Sequence, residues 1–425
     1  HDIYRALSVL AEECDFIQAE AYKSSRFLGK RNDRILYYDC TNYYFEIEEE
    51  DDSRKYGKSK EHRPNPIVEM GLLMDRNGIP VAYDLFPGNE SEKVHMRPII
   101  NRVKETYDNA RVIIVADRGL NTSDNIYWIN GDNKSDENRR DGYVYGQSVR
   151  GADAEFKKWV LEASGYRTDK VSDGDKEISF KHKSRIHPKE LHVNVTNPGQ
   201  KKPAKRTVSI DQKQMVYYSE KYAKKQKADR DAMIARARDI IEHPKKYDRI
   251  TAKGSASYVQ NISFSKDTGE IVNGKSLSLD TAKIEEEEKY DGYYSIVTSE
   301  LEMSDEEIRN IYRGLAKIED SFKVTKTYFE SRPVYVRTNG HIDAHFATCF
   351  LALVLMRLLE IKLGRKYPTG KIISSLKKYT CVHLDTNTWQ FTYFDEILKA
   401  CQDTFDVNLD SKYKTQQEIQ RLLKY

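Results

Sequence analysis

The chain has 425 residues and a formal net charge of +3, with 39% hydrophobic and 32% charged residues. This composition is typical of a soluble globular protein, so it excludes a chain that is disordered throughout, and the length favours two or three domains. The most apolar segment, FATCFLALVLM at 346–356, is followed by Arg357 and is too short to cross a bilayer, which predicts a buried core helix.

Five scattered cysteines without a C-x-x-C pair indicate a reducing, intracellular location and no structural zinc. The chain begins with His1 rather than Met, and we expect it to be a fragment or a processed form.

The first third of the chain predicts a helix followed by an α/β layer. Apolar residues from Ile3 to Ala21 recur at spacings of three and four, which indicates an amphipathic helix. Three strands in hairpin order are predicted at 35–47, 67–74 and 80–86, with a turn at 75–78. Helix, strand, helix and strand then alternate, at about 91–107, 112–116, 123–130 and 142–147. This order predicts the α/β fold class with a mixed sheet.

Residues 151–300 have a different pattern. One polar helix is predicted at about 219–242, and short strands are predicted at 178–182, 191–195, 215–218, 258–264 and 293–298. We interpret this region as a β-rich insertion. Lys176 to Gly254 holds 21 Lys and Arg against nine Asp and Glu, a net charge of +12 that leaves −9 for the remainder. That asymmetry indicates a polyanionic partner, the alternative being a solvated face. Helical periodicity returns from Ser304 to about Leu363, and a mixed α/β tail ends in a helix at 415–425.

Two aspartates stand in strands where carboxylates are unfavourable. Asp117 directly follows the apolar strand 112–116, and ligands meet open α/β sheets at the carboxyl ends of strands. Asp39 lies in the middle of the aromatic strand 35–47 and would be costly there unless something binds it. The two are expected to be neighbours in a binding site. A turn Asp at 117 and a solvent-facing Asp on an edge strand at 39 are the alternatives.

The segment 308–326 carries an apolar and a polar stripe. The apolar stripe has helical spacing and is expected to face the core; its members are Ile308, Ile311, Leu315, Ile318 and Phe322. Tyr312, Glu319 and Lys326 are spaced by seven, which on a regular helix returns each to within about 20° of the last. This predicts a polar row beside a cleft, or else an ordinary solvated row.

These residues together resemble the bacterial insertion-sequence DDE transposases whose third acid lies in a Tyr-x2-Arg-x3-Glu-x6-Lys signature. The resemblance covers about residues 30–425. Its matching elements are YYDCTN around Asp39, YGKSKEHRP at 56–64, PGNES at 87–91, VADRG at 115–119, DGYYSIVT at 291–298, and Tyr312, Glu319 and Lys326. One position departs from the signature, because Leu315 stands where the signature has Arg.

The resemblance implies a ribonuclease-H-like catalytic domain with a mixed sheet and flanking helices. It divides the chain into a helical N-terminal remnant (1–30), the first catalytic part (31–150), a β-rich basic insertion (151–300), the second catalytic part (301–365) and an α/β C-terminal tail (366–425). It further implies that Asp39, Asp117 and Glu319 hold two Mg²⁺ ions, for which Mn²⁺ substitutes. Carboxylate oxygens are the ligands that these hard cations prefer.

The implied activity is metal-dependent cutting of element ends and their joining to target DNA, without a nucleotide cofactor. DNA is the implied partner, as terminal inverted repeats and target, with a homodimer in the synaptic complex and a bacterial cytoplasmic location on the nucleoid. No membrane partner is expected. The expected DNA contacts are Thr41, Lys58, Lys60, His62, Arg63, Arg118, Tyr312 and Lys326. Two alternatives stay open: an inactive DNA-binding remnant or regulatory fragment, and a related two-metal nuclease that does not join ends.

Overall fold

The computed structural model describes residues 2–28, 31–61, 63–107, 111–131, 140–173, 176–195, 203–243, 254–260, 277–385 and 387–423. They divide into two compact units. Unit 1 is drawn from His1–Leu120, Asp132–Gly142 and Asn310–Tyr425, and unit 2 from Asn121–Gly131 and Tyr143–Arg309. Helices and strands are numbered along the whole chain, and each unit is described by itself.

Unit 1 is built on a mixed sheet in the order β3-β2-β1-β4. Its strands are β1 (Ile35–Tyr44), β2 (Ile67–Asp75), β3 (Pro80–Pro87) and β4 (Ile113–Ala116). Strand β2 runs antiparallel to β1 and β3, and β4 runs parallel to β1. The predicted hairpin order of the first three strands and the α/β class are therefore confirmed.

The turn between β2 and β3 was also predicted correctly. Gly78 adopts a φ of 82°, a left-handed conformation that favours glycine. The buried Asp75 carboxylate accepts hydrogen bonds from the Ile79 backbone (2.9 Å) and from Arg31 Nε (2.7 Å). This fully paired carboxylate fixes the hairpin in the core.

The helices of unit 1 are α1 (Asp2–Glu12), α2 (Cys14–Leu28), α3 (Glu92–Tyr107), α9 (Ala316–Lys323), α10 (Asn339–Lys362), α11 (Thr369–Lys378), α12 (Glu396–Phe405) and α13 (Gln416–Leu422). Two helices, α1 and α2, stand where one was predicted. The apolar spacing continues across their junction at Glu13, so periodicity carried no signal for the break. A small antiparallel sheet completes the C-terminal part: β12 (Cys381–His383), β13 (Thr388–Phe391) and β14 (Tyr413–Thr415).

Helix α10 contains the apolar segment 346–356 and is longer than that segment. Within the described residues it is the one helix long and apolar enough to cross a membrane by length and composition alone, and 56% of its most apolar window is buried inside the protein. It packs against α1, α2 and β3. Its Phe346 and Phe350 contact Tyr43 and Tyr83, with ring centroids 4.7 and 5.2 Å apart. These contacts identify α10 as the core helix of unit 1.

Unit 2 contains an antiparallel sheet in the order β5-β11-β8-β7-β6. Its strands are β5 (Gly142–Gln147, whose first residue belongs to unit 1), β6 (Arg167–Asp173), β7 (Lys176–Val195), β8 (Ala204–Tyr218) and β11 (Tyr293–Thr298), with a separate pair β9 (Val259–Gln260) and β10 (Ser278–Leu279). Its helices are α4 (Ser123–Ile126), α5 (Ala154–Leu161), α6 (Glu220–Glu242), α7 (Thr281–Glu288) and α8 (Asp305–Arg313), the last of which crosses the boundary between the units.

One correction concerns β7. The separate strands predicted at 178–182 and 191–195 form a single strand of 20 residues. The polar residues between them have partners: Lys183 donates to the Glu162 carbonyl (2.6 Å), and Arg185 pairs with Glu155 (2.9 Å). Because groups in helix α5 and at its C-terminal end pair with these two cations, the strand continues where the sequence indicated a break. The end of the predicted strand 258–264 lies outside the described residues.

Candidate active site

Asp39 lies in the middle of β1 and is largely buried. Its Oδ1 accepts a hydrogen bond from the Cys40 backbone (2.8 Å). Burial, together with the negative charges of Glu92 and Asp117, raises the pKa of Asp39 to about 6, against the opposing effect of the Lys60 ammonium and the Cys40 N–H. The carboxylate is therefore short of compensating positive charge.

Asp117 follows the last residue of β4 and is exposed. In the parallel pairing of β1 with β4, Tyr37 lies opposite Val115, so Asp39 and Asp117 each stand two residues beyond the same rung of the sheet. Asp117 then begins a tight turn, in which the Leu120 backbone donates to the Asp117 carbonyl (3.1 Å). Consistent with the predicted proximity of the two aspartates, the negative charge of Asp117 contributes to the raised pKa of Asp39.

The segment that carries Glu319 runs along one face of β1. The Tyr37 hydroxyl donates to the Ile311 carbonyl, and the Tyr43 hydroxyl hydrogen-bonds to Thr325, both at 2.9 Å. Side chains alternate along a strand, so Asp39 points to the same face as Tyr37 and Tyr43. Glu319 stands between the two anchored ends of this segment, on the exposed side of α9.

The apolar stripe predicted at 308–322 is confirmed, since all five of its members are buried. The regular row spaced by seven is wrong, because the helix is interrupted twice. It breaks at Gly314, where a Cβ would lie 2.0 Å from the Tyr37 hydroxyl, and a π-helical turn occupies Val324–Tyr328. Tyr312 therefore lies before the break on α8. Lys326 lies in the π turn, with its ammonium 5.1 Å from the centre of the Tyr43 ring.

The structure brings Asp39 and Asp117 together but does not add Glu319 to them as a compact ligand group. Nowhere in the described part of the chain do three or more His, Cys, Asp or Glu residues lie close enough to hold a metal ion. The two aspartates fit a divalent cation by the chemistry of their oxygens and by their mutual repulsion. Glu319 lies on a helix that packs against β1 without joining that pair.

Lys60 is a cation whose charge acts on this acidic pair, because it lowers the pKa of Asp39. Its ammonium donates to the Cys40 carbonyl and lies 3.8 Å from Glu92 Oε1. The Arg34 carbonyl bonds to Ile113 of β4, and carbonyls of alternate residues point to the same side of a strand, so the Cys40 carbonyl faces the space beyond the end of β4. Lys60 therefore occupies the opening in the sheet from which Asp117 emerges.

The remaining predicted DNA contacts are spread around this opening. The Asn42 amide donates to the Lys58 carbonyl (3.2 Å), which ties the loop of Lys58 and Lys60 to β1. Arg63 stacks over the Tyr44 ring, with its guanidinium 4.2 Å from the ring centre. Arg118 is exposed and Thr41 is buried. His62 lies outside the described residues.

Two acidic residues that interact electrostatically with Asp39 escaped the sequence analysis. Glu69 is only 6% exposed in the fully buried strand β2, and its Oε2 has no hydrogen-bond partner among the described atoms. Burial and the charge of Glu92 raise the pKa of Glu69 to about 7. The sequence does contain a signal for Glu69, because it is a carboxylate inside the apolar run IVEMGLL and such a residue is a candidate for a functional site. Glu92 at the start of α3 resembled an ordinary helix-start acid.

The chain is similar to known proteins of one kind. A family model described as "Transposase DDE domain" matches residues 32–355. No curated protein matches the chain.

Two of the solved structures that are similar are of transposases bound to DNA. The piggyBac transposase synaptic complex with hairpin DNA is 9% identical with a TM-score of 0.32, over 82% of this chain and 52% of that one. The Mos1 transposase paired-end complex with the left transposon end is 17% identical with a TM-score of 0.14, over 27% of this chain and 38% of that one. The chain thus spans about half the length of the piggyBac transposase chain.

Proposed function

Because the chain belongs to the family of transposase DDE domains, we propose that it is the transposase of a bacterial insertion sequence, cutting the element's ends and joining them to target DNA. The observation that carries the proposal is the Asp39–Asp117 pair, in which Asp117 follows the carboxyl end of β4 and Asp39 lies beside it in the parallel strand β1. Two neighbouring carboxylates, one of them buried with a raised pKa, are a suitable cradle for divalent cations.

We further propose that Asp39, Asp117 and Glu319 would hold two Mg²⁺ ions, or Mn²⁺ in their place. When bound, such ions supply a Lewis acid for a phosphodiester and lower the pKa of water. The raised pKa of Asp39 supports a site that needs added positive charge. Glu319 is exposed on α9, so its carboxylate has to turn toward the aspartate pair to complete the set.

The residues around the pair are suited to bind and orient DNA. Lys60 neutralises part of the acidic charge and can move from the Cys40 carbonyl to a phosphate oxygen. Tyr312 and Lys326 flank Glu319 along the chain and offer a phenol and an ammonium to the backbone near the reacting bond. Thr41, Lys58, Arg63 and Arg118 are proposed contacts further along the strand.

The basic region of unit 2 is the proposed DNA-facing surface of the insertion. Part of its charge is internal, because Arg230 is 2% exposed and bonds to Asp291, and Lys213 pairs with Asp305 (2.9 Å). The exposed cations lie on β7, β8 and α6: Lys181, Lys205, Arg206, Lys221, Lys224, Lys225, Lys227, Arg236 and Arg238. Binding to DNA through such a surface is expected to weaken steeply with salt.

The finer architecture is part of the same proposal. We assign residues 31–150 and 301–365 to a ribonuclease-H-like catalytic domain, 151–300 to the basic insertion, 1–30 to a helical remnant and 366–425 to the C-terminal region. A homodimer that pairs two element ends in the bacterial cytoplasm completes the assignment.

The test is metal-dependent nicking of DNA that carries the element's ends, identified as inverted repeats bracketing the coding sequence. Wild-type protein is expected to nick such DNA with Mg²⁺ or Mn²⁺, and the Glu319→Gln variant to bind it equally well without nicking. Glu105→Gln, an exposed charge-matched control on α3, should nick like wild type. Binding without nicking by the wild type would identify an inactive DNA-binding remnant instead.

Joining is tested separately. A pre-cut end with a free 3′-hydroxyl should be transferred into a target plasmid. Nicking without transfer would identify a nuclease that does not join ends.

A further inference from the structure

A second cluster of charges lies beside Tyr43, four residues along β1 from Asp39. Oε1 of Glu61 contacts both Lys326 Nζ, at 3.3 Å, and Arg332 Nη1. One carboxylate oxygen thus bridges two cations, so the cluster keeps a net charge of +1.

The backbone holds both cations in place. The Tyr43 hydroxyl bonds to Thr325, next to Lys326. Ser331 is 2% exposed, and its hydroxyl donates to the Thr325 carbonyl (2.8 Å), which folds the loop back and returns Arg332 to the side of Lys326. The arrangement is therefore built by buried contacts rather than by two long side chains meeting at the surface.

The cluster is also open to solvent in a way that the buried Arg31–Asp75 pair of unit 1 is not. The side chains of Lys326, Arg332 and Glu61 are 11%, 28% and 21% exposed, whereas those of the Arg31–Asp75 pair are 2% and 0% exposed. An accessible anion can therefore reach the two cations once Glu61 moves aside. A guanidinium and an ammonium around one oxygen match the charge and donor geometry of a phosphodiester group.

We infer that Lys326 and Arg332 form a DNA-phosphate subsite, and that Glu61 occupies it as a stand-in for phosphate while no DNA is bound. Arg332 is the new contact, and it supplies a guanidinium that the buried Leu315 cannot. Glu61 competes with phosphate for the two cations, so a DNA segment displaces it only when further contacts also hold that segment. The inference rests on the proposed function, in that the ligand is DNA.

The experiment measures the affinity of the full chain for a short fluorescein-labelled DNA duplex of mixed sequence by anisotropy, in EDTA and over a range of salt concentrations. Arg332→Gln is expected to weaken binding about tenfold and to reduce the salt slope by about one. Arg337→Gln removes the same charge from an exposed position five residues further along and should bind like wild type. Arg332→Lys should restore most of the affinity.

The Glu61→Gln variant is expected to change the affinity for DNA in the opposite direction. It is expected to bind DNA several-fold more tightly than wild type, and more tightly than Glu49→Gln, an exposed control that makes the same charge change. This gain should vanish when Lys326→Gln and Arg332→Gln are added. Because Glu61→Gln removes no cation, it tests the subsite even if the Arg332 variants lose their fold.

The outcomes separate the two proposals. Wild type that binds DNA, with Arg332→Gln equal to Arg337→Gln or Glu61→Gln equal to Glu49→Gln, would overturn the subsite and leave the transposase proposal standing. Wild type that binds no DNA would overturn both.

Discussion

Unit 1 handles buried charge in two contrasting ways. Around Asp39 and Glu69 the carboxylates outnumber their partners, and the pKa of each is raised, to about 6 and about 7. Around Arg357 every charge is met: its guanidinium bonds to Asp320 Oδ2, Glu360 Oε2 and the Ser321 hydroxyl, each at 2.8 Å. The second cluster holds helix α10 to α9. The first has negative charge that its neighbours do not compensate, and a cationic ligand could compensate it.

Whether buried charges are fully paired is thus a physical criterion that distinguishes structural charges from functional ones. A fully paired buried cluster loses stability when one partner is removed, because the others are left uncompensated. An underpaired acidic cluster is already strained, so removing a carboxylate there relieves repulsion while it removes function. The following predictions test that separation.

The largest effect is expected for Asp39→Asn. If Asp39 is the metal ligand proposed above, DNA cutting should fall roughly 10³-fold or more, since a contribution of several kcal/mol is lost, while the free energy of unfolding at pH 7 is unchanged or rises. Nicking assays and denaturant unfolding measure the two quantities. A variant that is destabilised as strongly as it is inactivated would place Asp39 among the structural charges.

Arg357→Met should lower the free energy of unfolding by about 3 to 5 kcal/mol, because the buried carboxylate of Glu360 loses its ion-pair partner, whereas that of Asp320 is 54% exposed and stays solvated. Denaturant unfolding measures the change. Arg337→Met is the exposed control and should change the free energy by less than about 0.5 kcal/mol. Equal stability of the two variants would contradict the assignment.

Glu69 gives the pH test of the underpaired cluster. Its folded pKa of about 7 lies above its ordinary value of 4.5, so the folded state binds more protons, and stability falls as pH rises from about 4.5 to 7. The loss attributable to Glu69 should be about 2 to 3 kcal/mol and absent from Glu69→Gln, as measured by unfolding at a series of pH values. Glu105→Gln, the exposed control, should retain the wild-type pH profile. Parallel profiles for wild type and Glu69→Gln would mean that Glu69 is adequately paired.

The smallest effect is expected at the helix break. Gly314→Ala puts a methyl group against the Tyr37 hydroxyl, and overpacking of this kind costs about 1 to 3 kcal/mol. The shift of the segment should also reduce cutting, because Glu319 follows the break directly. Gly119→Ala, where a Cβ meets nothing within 4 Å, is the matched control for stability. Full stability of Gly314→Ala would show that Tyr37 moves without cost.

Much of unit 1 could be predicted from the sequence, because its elements have strong local signals. Aromatic and β-branched content predicted β1, and Asp39 was expected near Asp117 because their strands were predicted to be neighbours, as the pairing of β1 with β4 has them. The apolar stripe from Ile308 to Phe322 followed from its spacing alone.

What the sequence could not supply depends on contacts distant along the chain. The helix break at Gly314 exists because Tyr37 approaches it, and spacing along one helix carries no trace of that contact. The π turn at Val324–Tyr328 reorients Lys326 against the expectation from a regular helix. Likewise, the meeting of Glu61 with Arg332 spans residues that no local pattern connects.

The unequal lengths of β1 and β4 have a further consequence, for solubility. Strand β1 pairs with β4 only from Ile35 to Tyr37 and then continues to Tyr44, so the backbone groups on that edge are not paired by β4 and depend on neighbouring residues to stay buried. The Lys60 side chain covers the Cys40 carbonyl on that edge and brings a charge to it. Lys60→Ala is thus expected to aggregate during refolding at concentrations where wild type stays monodisperse, a liability that light scattering would reveal.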